Sequence, residues 1–243
     1  MTERNPPDFM DPGLMQDPFA ADAWAREHTP VLPVPGADTF LVFSYEHIAE
    51  VLRNPRTFSS RNEEMMLGRS VHDPACQAIY AEGWPQAETL LNNDPPEHTR
   101  FRKLVRAAFS PGRIKAMDGR IRAVIDELID GFIDAGECEF IEAFAMPLPA
   151  LIIAGQMGIP GADIYKVKVW SNAFIELIGS YLPHEQELAQ AHRVVEFQRY
   201  LKERIDARRE EPESDMLSAL VHAEEEDEAP LNTAEILNVA QQL

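Results

Sequence analysis

The stretch from Asp94 to Phe109 constrains this chain more than any other, because it specifies where a helix starts and which side of it is buried. Asp94 has a side chain suited to an N-cap, and Pro95 can occupy the first helical position, where its missing N–H costs nothing. Glu97 would complete a capping box with Asp94. The sequence therefore predicts a helix that begins at Asp94.

This predicted helix is amphipathic. Its apolar residues recur at a spacing of three and four and so share one face; they are Phe101, Leu104, Val105 and Ala108. The residues predicted to point the opposite way, into solvent, are Arg100, Lys103 and Ala107. The apolar face is expected to pack into a core.

Cationic residues lie between these two faces. His98 and Arg102 are four residues apart, so their side chains stack on one stripe at the edge of the buried face, and Arg106 follows one turn later. A charge beside apolar surface is costly to desolvate unless it is paired. The stripe therefore predicts an anionic partner. The alternative is that these cations simply form a solvated helix face.

The literal string favours the first interpretation. Asp-Pro-Pro-Glu-His-Thr-Arg-Phe-Arg at 94–102, followed by Leu-Val and then Ala-Phe-Ser-Pro, resembles the C-helix signature of the cytochrome P-450 family, the haem-thiolate monooxygenases. In that family the His and the second Arg of the signature hydrogen-bond the haem propionates. The resemblance implies that His98 and Arg102 bind the carboxylates of heme b. It assigns no catalytic residue and no metal ligand to this chain.

The rest of the chain is predicted to be mainly α-helical, with a small β-hairpin near the N-terminus. The predicted strands are 31–34 and 39–43; the predicted helices are 17–27, 44–53, about 74–81, 113–135, 150–155, 162–178, 185–209, 215–223 and 234–243. Because it is apolar on nearly every side, the helix at 150–155 is expected to be buried all round. This order resembles the N-terminal portion of the P-450 fold, from its A helix to the start of its I helix, with 162–178 and 185–209 as its F and G helices. Residues 1–243 are then expected to form a single incomplete domain.

The segment 62–91 is predicted to be mostly loop. Within it, Met65, Met66 and Leu67 are predicted either to face a substrate pocket or to pack beneath the loop. His72 and Cys76 are four residues apart, but two potential ligands fall short of a metal site.

Charge and composition exclude several classes of function. The net charge of −19 argues against a nucleic-acid partner, because phosphate contacts need a basic surface. The acidic run 210–228 is expected to be a solvated loop around a short helix. The N-terminus lacks the apolar core of a signal peptide, and no run is long enough for a membrane span, so we expect a cytoplasmic protein. Cys76 and Cys138 have no metal or redox spacing and are expected to be reduced thiols.

The sequence stops within its last predicted helix, before other signatures of the family. Absent are the acid–alcohol pair of the I helix, the Glu-x-x-Arg pair, and the cysteine loop that ligates the iron. Neither Cys76 nor Cys138 stands in the context of that loop. We therefore expect an N-terminal fragment that is inactive alone, with weak or no haem affinity and loose packing.

For the complete protein, the resemblance implies insertion of one oxygen atom from dioxygen into a small organic substrate. Electrons would come from NAD(P)H through a ferredoxin or flavin-type donor that meets Arg100, Lys103 and Arg106. The alternative is a non-catalytic acidic helical protein with a binding or regulatory role. A hydrolase or nucleotide enzyme is rejected, because the sequence has no Gly-x-Ser-x-Gly elbow, phosphate loop or His-Glu-x-x-His pair.

Overall fold

The structure is a computed structural model that describes residues 7–9, 11–36, 38–62, 64, 66–106, 108–179 and 182–243. Backbone contacts divide the chain into two compact units, Met1–Ser59 and Ser60–Leu243. The single incomplete domain expected from the sequence stays a prediction.

The first unit contains the hairpin. Its elements are α1 (Pro12–Gln16), α2 (Phe19–His28), β1 (Val31–Pro33), β2 (Phe40–Val42) and α3 (Tyr45–Arg53). The two strands are antiparallel, as the predicted hairpin requires, and Val31 lies opposite Val42. Ser44 caps α3, since its Oγ accepts the backbone N–H of His47 at 3.3 Å. Helix α1 was not predicted.

The second unit is helical. Its α-helices are α4 (Pro74–Tyr80), α5 (Glu97–Arg106), α6 (Pro111–Ala116), α7 (Asp118–Asp130), α8 (Pro147–Gln156), α9 (Ile164–Gly179), α10 (His184–Glu210), α11 (Met216–Val221) and α12 (Thr233–Gln241). Short 3-10 segments lie at Gly68–His72, Ile133–Ala135 and Gly161–Asp163, and a π-helical turn at Ile141–Ala145 precedes α8. The mainly helical class with a small hairpin is confirmed.

Helix α10 is the centre of this unit. It packs against α4, α9, α11 and α12. Most of its inward positions are apolar and form a buried stripe; they include Ala191, Val194, Leu201 and Ile205. Two buried polar residues, Glu187 and Gln198, interrupt this stripe. The short α11 and the last helix α12 add further aliphatic residues to the same core, among them Leu217, Leu220, Ile236 and Leu237.

Helix α5 begins at Glu97, so the prediction of a start at Asp94 was wrong by three residues. The backbone carbonyl of Asp94 does accept the N–H of His98, at 2.9 Å. Its carboxylate, however, accepts the backbone N–H of Ser60 at 2.8 Å. A tertiary contact thus engages the side chain that local sequence assigned to helix capping.

Two predictions about the middle of the chain were also wrong. The helix expected at 113–135 is divided into α6 and α7 around Met117, and Val124 is the one residue of α7 classed as buried. Helix α8 was expected to be buried on every side, yet only Ala154 within it is buried. Its neighbours α7 and α9 cover part of its surface and leave the rest half-exposed.

The segment before α5 packs into the core. Met66 and Leu67 are buried in the same cluster as α10, which supports packing beneath the loop over a pocket-facing role. Met65 lies outside the described residues. The acidic run is not uniformly solvated either, because Asp215 is buried and pairs with Arg208 at 2.8 Å.

Candidate functional site

The apolar face of α5 fixes how this helix is rotated. The predicted set is buried, with exposed fractions of 1–4% at Phe101, Leu104, Val105 and Ala108. Burial of these side chains stabilises the helix by roughly 1.5–3 kcal/mol for each large one. The rotation in turn decides which neighbours the charged residues on the flanks can reach.

One flank of α5 is paired with acidic residues near α12. The Arg100 guanidinium binds Glu235 through two bonds, Nη1 to Oε1 at 2.8 Å and Nη2 to Oε2 at 3.2 Å. Its Nη2 also donates to the carbonyl oxygens of Ala229 at 2.9 Å and Pro230 at 3.2 Å. The side chains of Arg100 and Glu235 are 20% and 14% exposed. The prediction that Arg100 points into solvent was therefore wrong.

Lys103 lies on the same flank but nearer to water. Its Nζ is 2.9 Å from Glu228 Oε1, and its side chain is 49% exposed. The hydrogen bond to Glu228 raises the pKa of Lys103, and the bonds to Glu235 raise the pKa of Arg100. Both cations are held charged by carboxylates of the chain itself.

The other edge of α5 carries the predicted site. His98 is half-buried, while Arg102 and Arg106 are exposed. Within the part of the chain that the structure describes, none of these three side chains makes a hydrogen bond or an ion pair. Helix α5 therefore has one edge whose charges are neutralised internally and one whose charges are not.

These residues suit part of a haem. An imidazole and a guanidinium are the donors that carboxylates prefer, and a guanidinium can bind a carboxylate through two parallel bonds. Two cavities lie elsewhere: one of about 390 Å³ is lined by residues that include Gly158, Arg208 and Asp215, and one of about 130 Å³ lies between α7 and α8. The fit to haem thus rests on the donor set of α5 alone.

Neither cysteine suits the iron. Cys76 is fully buried beside Ile79 and Ala191, and burial raises the pKa of its thiol to about 11, so it is protonated at neutral pH. Cys138 is exposed in the segment after α7. Among the described residues there is no group of three or more His, Cys, Asp or Glu side chains that could hold a metal ion. Neither thiol is therefore assigned to the iron.

Sequence analysis missed the acidic partners of α5. The sequence predicts either Asn232 or Thr233 as the cap of the last helix, and in the structure Asn232 caps it and forms a capping box with Glu235. That local pattern identifies Glu235 as a capping residue. Its second role, as the partner of Arg100, depends on two residues that are 135 positions apart in the chain.

Fold and site together define the class: a helical chain, with a small hairpin, whose α5 presents basic side chains that have no partner among the described residues. No family model matches the chain. It is 32% identical to cytochrome P-450 monooxygenase PikC of Streptomyces venezuelae, over 98% of this chain and 55% of that protein. It is 31% identical to 6-deoxyerythronolide B hydroxylase of Saccharopolyspora erythraea, over 94% of this chain and 57% of the relative.

The solved structures agree. Cytochrome P-450 PksS of the Bacillus subtilis bacillaene polyketide synthase superposes with a TM-score of 0.74 at 26% identity, covering 96% of this chain and 55% of that one. The chain is thus homologous to the bacterial cytochromes P-450, and it spans about half the length of the curated relatives it matches. Of the helices in the described residues, none combines the length and apolar character needed to cross a bilayer.

Proposed function

We propose that this chain is the N-terminal part of a haem-thiolate monooxygenase, and that His98 and Arg102 bind the carboxylates of its heme b. The observation that carries the proposal is the unpaired cationic edge of α5, in a chain homologous to enzymes named as monooxygenases and hydroxylases. Bound haem supplies the chemistry that transfers one oxygen atom from dioxygen to a small organic substrate. The residues of this chain supply binding and orientation.

The two proposed haem residues act by neutralising charge on a fixed surface. His98 is half-buried, so a hydrogen bond from its imidazole to a carboxylate is less screened by water than at a fully exposed position. Arg102, one turn further along, provides the planar fork that matches a carboxylate. Because the buried face of α5 locks its rotation, both donors are presented in the same direction before any ligand arrives.

The iron ligand belongs to the remainder of such an enzyme. Neither Cys76 nor Cys138 is assigned to it, since the first is a buried protonated thiol and the second is exposed. Alone, the chain is expected to bind haem weakly, without an iron ligand, and to catalyse no oxygen transfer.

An electron donor would meet the same helix in the complete, cytoplasmic enzyme. Electrons would pass from NAD(P)H through a ferredoxin or a flavin protein, whose acidic surface is attracted by exposed cations. Arg100 and Lys103 were predicted to contribute, but both are paired with Glu235 and Glu228. Since Arg102 is assigned to a haem carboxylate, Arg106 is the exposed cation of α5 proposed to meet such a partner.

The test compares two ligands that differ only in their carboxylates. Hemin and hemin dimethyl ester are titrated into the chain, and binding is followed by absorption and by quenching of tryptophan fluorescence. We expect hemin to bind about tenfold more tightly than its ester, because charged hydrogen bonds contribute about 1.5–3 kcal/mol. The variants His98→Gln and Arg102→Gln should each reduce this preference.

Lys103→Gln is the matched control, since it removes a cation from the same helix that already has a partner. It should leave the preference for hemin unchanged. Equal affinity for the acid and the ester, or the same loss in all three variants, would contradict the assignment of His98 and Arg102.

A further inference from the structure

Glu235 holds an unusual combination of contacts at the start of α12. Its backbone N–H donates to Asn232 Oδ1 at 3.0 Å, and its Oε2 accepts the N–H of Asn232 at 2.8 Å. The same carboxylate receives both terminal nitrogens of Arg100. A capping residue in the first turn of α12 thus also joins this helix to α5.

Arg100 extends this junction beyond Glu235. Its Nε and Nη2 donate to the carbonyl of Ala229, at 3.3 and 2.9 Å, and Nη2 donates to that of Pro230. One guanidinium therefore holds the turn before α12 and the first turn of the helix itself. A planar fork bound on several sides fixes both distance and direction, whereas a single ammonium contact fixes distance alone.

The ion pair of this junction is partly shielded from water, although Ala229 and Pro230 are exposed. Leu231 and Ile236 are 5% and 0% exposed on either side of Glu235. The partners Arg100 and Glu235 keep only 20% and 14% of their side-chain exposure. Electrostatic contacts at such a position are screened far less than exposed ion pairs.

We propose that Arg100 is a positioning residue that fixes the start of α12 relative to α5, so that the edge carrying His98 and Arg102 and the helix α12 form one rigid element. The proposal rests on the proposed function only in treating that edge as the haem site. A shift of α12 would have to break the contacts to Glu235, Ala229 and Pro230 together. Ligand binding on one edge of α5 is thereby coupled to the order of α12.

Hydrogen exchange of the unliganded chain tests whether Arg100 fixes the start of α12 relative to α5. In Arg100→Gln, amides of 231–241 should exchange at least about tenfold faster, the change expected for losing one charged hydrogen-bonded contact. Glu235→Gln should give a similar change, because glutamine preserves the capping box while removing the ion pair. The double variant should exchange no faster than either single one.

Two further variants keep this test decisive. Lys103→Gln, which removes the exposed neighbouring pair, should leave exchange of 231–241 within about twofold, since such pairs contribute little. If Arg100→Gln also accelerates exchange in α10, the variant Arg100→Lys is used instead, because it keeps the charge. The protection of its 231–241 amides against exchange should lie between that of the wild type and that of Glu235→Gln. Unchanged exchange in 231–241 with α10 intact, or additive single effects, would overturn the proposal.

The coupling between ligand binding on α5 and the order of α12 is tested by adding hemin. Hemin should slow exchange of 233–241 in the wild-type chain but not in Arg100→Gln, although the variant still binds hemin through His98 and Arg102. A purely structural role would give the same hemin-dependent slowing in both proteins. Failure of carboxylate-dependent hemin binding would refute the proposed function and leave the result of the ligand-free exchange intact.

Discussion

Helix α5 carries cations along two edges, and the rest of the chain treats those edges differently. Arg100 and Lys103 are neutralised by Glu235 and Glu228, whereas His98, Arg102 and Arg106 have no partner within the described residues. Both edges carry basic residues at helical spacing, three residues apart on one edge and four on the other. The difference teaches that a basic residue on a helix either stabilises the fold or stays available to bind a ligand, depending on which side chains pack beside it.

The largest effect should separate Arg100 from Arg102. We expect Arg100→Gln to lower the free energy of unfolding by about 2–3 kcal/mol, less than for a fully buried pair because both partners keep some exposure. Arg102→Gln should change it by less than about 0.5 kcal/mol. Urea unfolding followed by far-ultraviolet dichroism measures both, and similar losses in the two variants would remove the distinction between the edges.

The next effect concerns the ligand. Reversing the charge in Arg102→Glu should weaken hemin binding by about 2 kcal/mol, or roughly thirtyfold, because a carboxylate then faces a carboxylate. Titration with hemin and with its dimethyl ester measures the change. The ester should bind to the variant and to the wild type alike. A weaker affinity for both ligands would instead indicate a general disturbance of the chain.

A smaller effect is expected for electron transfer. In a complete P-450 made by joining this chain to the remainder of a relative, Arg106→Glu should slow reduction by an acidic donor several-fold at low salt. The difference should fade at high salt, since exposed charges are screened beyond about 10 Å at 0.1 M. Stopped-flow reduction under both conditions tests this. Unchanged rates at low salt would exclude Arg106 from the docking surface.

The smallest effect is expected for the stability that the ion pair between Lys103 and Glu228 contributes. Glu228 holds the pKa of Lys103 above its ordinary value, so the pair contributes stability from neutral pH up to the unfolded pKa of about 10.4. That contribution is lost as the pH rises through the raised value in the folded state. Lys103→Gln should remove this alkaline dependence with little change at neutral pH, as measured by urea midpoints between neutral and strongly alkaline pH.

The sequence by itself determined those features that depend on neighbours within one helical turn or one hairpin. The buried face of α5, the Ser44 cap, the antiparallel hairpin and the Asn232–Glu235 capping box all follow from spacings of two to four residues. The family resemblance carried by 94–102 is likewise a local string, and the homology to bacterial cytochromes P-450 confirms it.

Tertiary structure alone decided which polar side chains found partners far away in the chain. Asp94 was expected to cap a helix but binds Ser60, and Arg100 was expected in solvent but binds Glu235. The apolar α8 was expected to be buried, yet its neighbours cover only part of it. Periodicity specifies which side of an element is apolar or charged, while the identity of the surface opposite depends on how distant segments pack.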